Sequence, residues 1–456
     1  MKRKIFAAVS VALGFLVALG ASACGLLNGT VTDDRFPYDA AKEEGFSGSE
    51  SAWLAGSDTP STRERRLYEE LVAEGYDKSF FEFLKEFGIS SDDTAYVNEA
   101  LSSVVSVNAL FDVPRTVSST GRISSNGAGV IYSLNTATGD AYFITNYHVI
   151  YSAKSYGTEI TPYISDEISV YLYGGEVSSR AIAVNYVGGS MQHDIAVLSA
   201  KNSTILKATQ SNTVYAKEAA LGDSDSVTVG ETAYAIGNPD DKGISVTQGV
   251  VSVDAEYIRA SLADGKRIVT FLEIRTDAAV NHGNSGGGLF NAQGELIGIV
   301  NARSEGSGVE AFGYAIPSNL AVRLAQNIID NAGTGGALIA ELGFDTKTED
   351  SKGVYNDALG KYFTEEKVVV QNANSTQGLG FKNGVRSGDT LYSASIVRGG
   401  EVVFSATITR KYKFDNLLVA LRKGDTLKIT VIRASEQNPL ELSIPLTNNS
   451  NFTLYN

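Results

Sequence analysis

Three short segments carry residue types that together support nucleophilic chemistry: T-N-Y-H-V with His148, H-D-I-A-V-L with Asp194, and N-H-G-N-S-G-G-G-L with Ser285. A serine hydroxyl is a weak nucleophile at neutral pH. Acyl transfer therefore needs a base to take its proton and a carboxylate to hold that base in one tautomer. His148, Asp194 and Ser285 supply base, acid and nucleophile. The glycines around Ser285 permit a sharp backbone turn, from which the amides of Gly283 and Ser285 are expected to converge on the oxyanion of a tetrahedral intermediate.

Other chemistries fit less well. G-N-S-G-G also satisfies the G-x-S-x-G elbow of α/β-hydrolases, but their order is serine, acid, histidine, and no His follows residue 282 here. The three His show no metal-ligand spacing, and one Cys excludes both an intramolecular disulfide and a Cys-based metal cage, so no metal or cofactor is expected. His193, beside the acid, and His282, beside the nucleophile, read as loop residues, which leaves His148 as the base. A formal charge of −14 argues against a nucleic-acid partner.

A chain of 456 residues with 46 Gly and 8 Pro exceeds what one core organises and is rich in strands and turns. From 98 to about 330, short runs such as A-Y-F-I-T-N and E-L-I-G-I-V-N alternate with turn residues, the pattern of an all-β domain, and the stretch ends in helical periodicity from Leu320 to Asn331. Gly333-Thr334-Gly335-Gly336 breaks that helix as a hinge. Residues 337–446 mix strands such as T-L-K-I-T-V-I-R with a helix around Lys413 to Leu421, a small α+β domain.

The amino terminus reads as a signal peptide over 1–23: Lys2-Arg3-Lys4, an apolar stretch from Ile5 to Leu19, then Ala21-Ser22-Ala23. Cleavage there makes Cys24 the first residue, as in bacterial lipoproteins, and its thiol would carry lipid; the same Ala-x-Ala also suits ordinary signal peptidase and release as a soluble protein. Loss of three cations takes the charge to −17. After a polar tether, 24–36, comes a repeat over 37–90: Tyr38, Glu44, Gly45, Phe46, Ser49, Trp53 and Leu54 recur 30 residues on as Tyr68, Glu74, Gly75, Tyr76, Ser79, Phe83 and Leu84. Each copy reads as a small helical hairpin whose aromatics pack against protein.

Residues 98–330 resemble the trypsin-like serine proteases of the HtrA (Deg) family. The resemblance rests on R-T-D-A-A-V-N-H-G-N-S-G-G-G-L-F-N-A-Q-G-E-L-I-G-I-V-N, preceded by G-N-P-D-D-K-G-I-S-V-T-Q-G-V-V-S and followed by F-G-Y-A-I-P-S-N. It implies a mainly β fold with a trypsin-like double β-barrel, the triad between the barrels, a taste for unfolded or misfolded protein, and a homotrimer. It also implies that Ala279, six residues before the nucleophile, floors the primary specificity pocket, with His282 and Arg303 near its mouth. His282 and Gly288 depart from the family, where Pro is frequent. The His148 to Asp194 interval is long, with Ser152 to Asp166 as the extra loop.

Residues 337–446 resemble the PDZ domain that follows such proteases, through F-K-N-G-V-R-S-G-D-T-L and K-F-D-N-L-L-V-A-L-R-K-G-D-T-L-K-I-T-V-I-R. That implies capture of peptide carboxyl termini, with Leu342-Gly343-Phe344 as the carboxylate loop and Gly378-Leu379-Gly380-Phe381 as second choice. Thr346 to Glu366 is expected as an insertion over the groove. Two functions follow: an exported serine endopeptidase on the outer face of a membrane, or a catalytically idle surface binding protein that uses its PDZ domain and aromatic repeats.

Overall fold

The computed structural model describes residues 93–152, 163–175, 178–301, 312–356, 361–373 and 376–456. The chain divides into two compact units, Met1–Tyr96 and Val97–Asn456. The signal peptide, the tether with Cys24, the repeats and Arg303 lie outside the described residues.

Helix α1 (Asp93–Leu101) leads into the first six-stranded closed barrel, built from β1 (Val104–Asp112), β2 (Arg122–Asn135), β3 (Asp140–Thr145), β6 (Glu167–Leu172), β7 (Ile182–Ser190) and β8 (Ile195–Ala200). The one-turn helix α2 (Tyr147–Ile150) and the small β4 (Tyr151–Ser152) and β5 (Tyr163–Ile164) pair interrupt it. The second closed barrel contains β9 (Thr232–Gly237), β10 (Ser245–Ser261), β11 (Ile268–Thr276), β12 (Gly288–Asn291), β13 (Leu296–Val300) and β14 (Gly313–Pro317).

Period-2 alternation along these strands separates two cores. Val105, Ile131, Phe143 and Leu198 fill the first barrel, while their neighbours Val104, Val130, Ile144 and Val197 face the other way into a layer shared with Tyr234, Ile236 and Phe290 of the second barrel. A strand buried on both faces has no polar face to show, which is why β8 reads as the unbroken run I-A-V-L. Helix α3 (Ser318–Asp330) inserts Leu320, Leu324 and Ile328 into that same shared layer.

Beyond α3 lie β15 (Ala337–Ala340), β16 (Asp345–Asn356), β17 (Lys361–Gln371), the short α4 (Leu379–Lys382), β18 (Thr390–Arg398), β19 (Glu401–Thr407), α5 (Lys411–Ala420), β20 (Thr426–Ile432), β21 (Leu440–Pro445) and β22 (Phe452–Tyr455). Strands β16-β17-β18-β20-β21 form one sheet, and β19 pairs with β18. Most of Thr346 to Glu366 forms the body of the β16–β17 hairpin, paired from Thr346↔Val370 to Asn356↔Lys361, rather than a separate flap. The chain also continues past 446 into β22, which pairs with β15 in the register Ala337↔Tyr455. Among the described residues no helix is long and apolar enough to cross a membrane.

Candidate active site

Strand β3 ends at Thr145, and Asn146, extended at φ −77°, starts α2. Tyr147, Val149 and Ile150 are buried, and this anchors the turn so that His148 is presented with its side chain 31% exposed. Asp194 is fully buried at the start of β8. Its Oδ2 lies 2.7 Å from His148 Nδ1 and its Oδ1 accepts the His148 backbone N–H at 3.0 Å, so one residue grips both carboxylate oxygens. The Asp194 carbonyl is held too, accepting Asn146 Nδ2 at 2.9 Å and Tyr147 N at 3.2 Å. Charge-assisted bonds of this kind fix orientation as well as energy.

Ser285 is buried, and its carbonyl accepts the Ala128 N–H at 2.8 Å. Gly127 of β2 joins the two halves of the site: a Cβ there would stand 2.8 Å from Val149 of α2 and 3.0 Å from the Ser285 carbonyl. The backbone of β2 thus lies between the His148 helix and the Ser285 turn. Gly286 (φ +85°) fits for a similar reason, since a Cβ would meet the Ala128 carbonyl at 2.2 Å and Thr145 Oγ1 at 2.4 Å.

The loop before the serine is stitched to the one after β9. Asn238 N donates to Gly283 O at 3.3 Å and Asp240 N donates to His282 O at 3.0 Å. Gly283 sits at φ +95°. Of the amides around the nucleophile, Asn284 N donates to Asn281 O, Gly286 N to Val300 O and Gly287 N to Asn284 O. Those three are already committed, two within the loop and Gly286 N to the end of β13.

The specificity candidates are less gathered. Ala279 and His282 are exposed on one loop, and the Ala279 carbonyl accepts Thr247 Oγ1 at 2.8 Å. At the other proposed site, Gly343 takes φ +73°, and Leu342 O accepts the Gly380 N–H at 2.7 Å. The two candidate glycine loops therefore pack on each other. Phe344 stacks on Phe414 of α5 with centroids 6.1 Å apart, and Thr346 Oγ1 donates to Asp415 Oδ1 at 3.4 Å.

Asn146 and Thr145 escaped the sequence reading, although both stand inside T-N-Y-H-V. Thr145 Oγ1 donates to Ala128 O at 2.7 Å and so ties β3 to the strand that touches the Ser285 turn.

Comparison with known proteins agrees with this geometry. Residues 127–299 match the trypsin-like peptidase domain. The chain is 34% identical over 268 residues to the periplasmic pH-dependent serine endoprotease DegQ of Escherichia coli (59% of this chain, 50% of DegQ) and 32% identical over 272 residues to the serine protease Do-like HtrB of Bacillus subtilis (58% and 52%). It thus spans about half the length of each. The serine protease Do-like HtrA of Lactococcus lactis is 28% identical over 332 residues, 71% of either chain. A trypsin-like peptidase domain, two closed barrels, a buried His–Asp pair and a glycine-flanked serine converge on one conclusion: the chain carries a trypsin-like serine protease domain similar to those of the HtrA-type proteases.

Proposed function

We propose that the protein is an exported serine endopeptidase that hydrolyses unfolded or misfolded polypeptides. The observation that carries this reading is the pair of hydrogen bonds from His148 to the buried Asp194 carboxylate, with the Ser285 turn held across Gly127. Nδ1 is fixed on Asp194, which leaves Nε2 as the ring nitrogen that acts as the base. It takes the Ser285 Oγ proton as that oxygen adds to the scissile carbonyl, and the resulting imidazolium is stabilised by Asp194. The Gly283 and Ser285 amides receive the oxyanion. His148 then gives its proton to the leaving amine as the C–N bond breaks, and later activates the water that cleaves the acyl ester.

The remaining assignments rest on the same reading. Ala279 carries no charge to select Arg or Lys, so cleavage follows small or medium aliphatic residues; a bias toward acidic residues through His282 and Arg303 is the alternative. Residues from 337 onward act as a PDZ-like domain that takes peptide carboxyl termini at Leu342-Gly343-Phe344, and an incoming peptide has to part Phe344 from Phe414. Cys24 carries the lipid that holds the enzyme on the outer face of the cell membrane, and the working form is a homotrimer. The name of DegQ, a periplasmic endoprotease, supports export. Labelling of the purified protein with a fluorophosphonate probe tests the reading: the label is expected on Ser285 alone, and its absence from Ser285 refutes the enzyme.

A further inference from the structure

The four-residue turn Met191–Asp194 joins β7 to β8, whose last pair is Ser190↔Ile195. Asp194 ends this turn at φ +54°, in the left-handed region that non-glycine residues enter at a cost of about 1 kcal/mol or more and keep only when their surroundings hold them there. Asn146 and α2 hold Asp194 from one side. From the other side, His193 Nδ1 pairs with the buried Ser190 Oγ at 2.8 Å and His193 N donates to Ser190 O at 3.2 Å, closing the turn at its base. His193 is half-buried, and its outer side is covered by Tyr455 of β22, edge to face at 6.0 Å.

Tyr455 is itself fixed. It pairs with Ala337 and its hydroxyl donates to Glu341 Oε1 at 3.2 Å. Two residues before Ala337, the Gly335 carbonyl accepts both the Gly189 N–H at 3.2 Å and the Tyr186 hydroxyl at 3.1 Å. Gly188 leaves no room for a side chain, since a Cβ would stand 2.8 Å from Ile328 Cγ2 and 3.1 Å from the Gly335 carbonyl carbon. Gly335 is thus seated on β7 just before the turn, and Tyr455 of β22 is seated on the turn.

We propose that His193 and Tyr455 are positioning residues, through which β22 holds the Ser190–Asp194 turn and with it the carboxylate that orients His148. The inference rests on the serine-protease reading above. It makes the C-terminal part a structural support of the acid, independent of any peptide bound at Leu342-Gly343-Phe344. A shifted turn would leave substrate binding intact and slow the chemistry, because misplacing a catalytic group by 1 Å can cost ~10²-fold in rate.

The full chain is tested with a short fluorogenic peptide, measuring kcat and KM separately alongside the melting temperature. Tyr455→Ala is expected to lower kcat about tenfold at unchanged KM, below the full cost of a 1 Å displacement. Tyr455→Phe, which keeps the ring over His193, is expected to restore kcat. Ser190→Ala removes only the hydroxyl under His193 and gives a second route should Tyr455→Ala unfold; it is expected to lower kcat in the same sense. The double variant His193→Ala/Tyr455→Ala should be no slower than the slower single variant, because both changes break one chain of contacts. A kcat within twofold of wild type in Ser190→Ala or in folded Tyr455→Ala overturns the proposal, as does a Tyr455→Phe variant as slow as Tyr455→Ala. Wild-type protein that neither cleaves peptide nor labels at Ser285 would instead overturn the protease reading.

Discussion

Arg410, at the start of α5, reaches Asp254 of β10, with Nη1 and Oδ2 2.9 Å apart, while its Nη2 donates to the Ala255 carbonyl at 3.1 Å. The Arg410 side chain is only 9% exposed, so this is a largely desolvated bond between the start of α5 and the second barrel. Tyr257 Oη donates to Asp415 Oδ2 at 3.1 Å nearby, and Lys361 Nζ donates to Thr228 Oγ1 at 3.2 Å. A cavity of about 670 Å³ lined by Asp254, Tyr355, Phe363, Tyr412 and Lys413 opens beside the contact and gives water partial access to the carboxylate.

Removing one partner of such a pair strands the other charge. Arg410→Ala is therefore expected to destabilise this docking by about 3 kcal/mol, the low end for buried pairs because of the adjoining cavity. Arg410→Lys should recover only part of that, since an ammonium cannot meet Asp254 and the Ala255 carbonyl in one plane. Calorimetry checks both: the variants should show a separate, earlier transition for the C-terminal part, and a single transition at the wild-type temperature would contradict the estimate.

Asp194→Asn preserves size but not chemistry. The two acceptors facing His148 N and Nδ1 become one acceptor and one amide donor, so either the backbone bond or the correct tautomer is lost. With the fold intact, kcat is expected to fall about 10⁴-fold, the cost of the wrong tautomer in a site of this kind. Circular dichroism establishes the fold, and peptide hydrolysis measures the loss.

Gly283→Ala tests the oxyanion assignment. The residue sits at φ +95°, and an added Cβ would stand 2.1 Å from the Asn238 carbonyl. The loop must move, and the Gly283 amide moves with it. Loss of one oxyanion donor costs on the order of 10²–10³ in kcat, so the variant should lose that much while KM changes little. An unimpaired variant would remove Gly283 from the mechanism.

How far the sequence predicts this structure depends on how local each signal is. The helices read over Leu320–Asn331 and Lys413–Leu421 lie within two residues of those observed, because apolar periodicity is local information. The His148, Asp194 and Ser285 segments were legible because each motif is contiguous, and folding brings His148 and Asp194 within hydrogen-bond reach. The β15–β22 pair was not legible: each strand has four residues, and Ala337 finds its partner at Tyr455 across the whole intervening sheet. The β16–β17 hairpin was hidden for another reason. Most of β16 is exposed on both faces, so no alternation of apolar and polar residues marked it as a strand. The bearing of His193 on Asp194 was invisible as well, since it depends on Ser190 in the same turn and Tyr455 at the far end of the chain.

His193 also gives the protein an acid-sensitive point. Burial pushes its imidazole down to about 4, from an ordinary value near 6.5. The unfolded chain therefore binds a proton first as pH falls, and between about pH 6.5 and 4 it holds more protons at this residue than the folded chain does. The contribution of this residue to stability is fully present above about pH 6.5 and declines toward pH 4. His193→Gln has no proton to take up at this site, and its side-chain amide remains able to meet Ser190. Melting temperatures measured from pH 7.5 to 4 should fall more steeply for wild type than for His193→Gln, with the two curves separating below about pH 6.5. Parallel curves would mean that the imidazole titrates in the folded protein as it does in water.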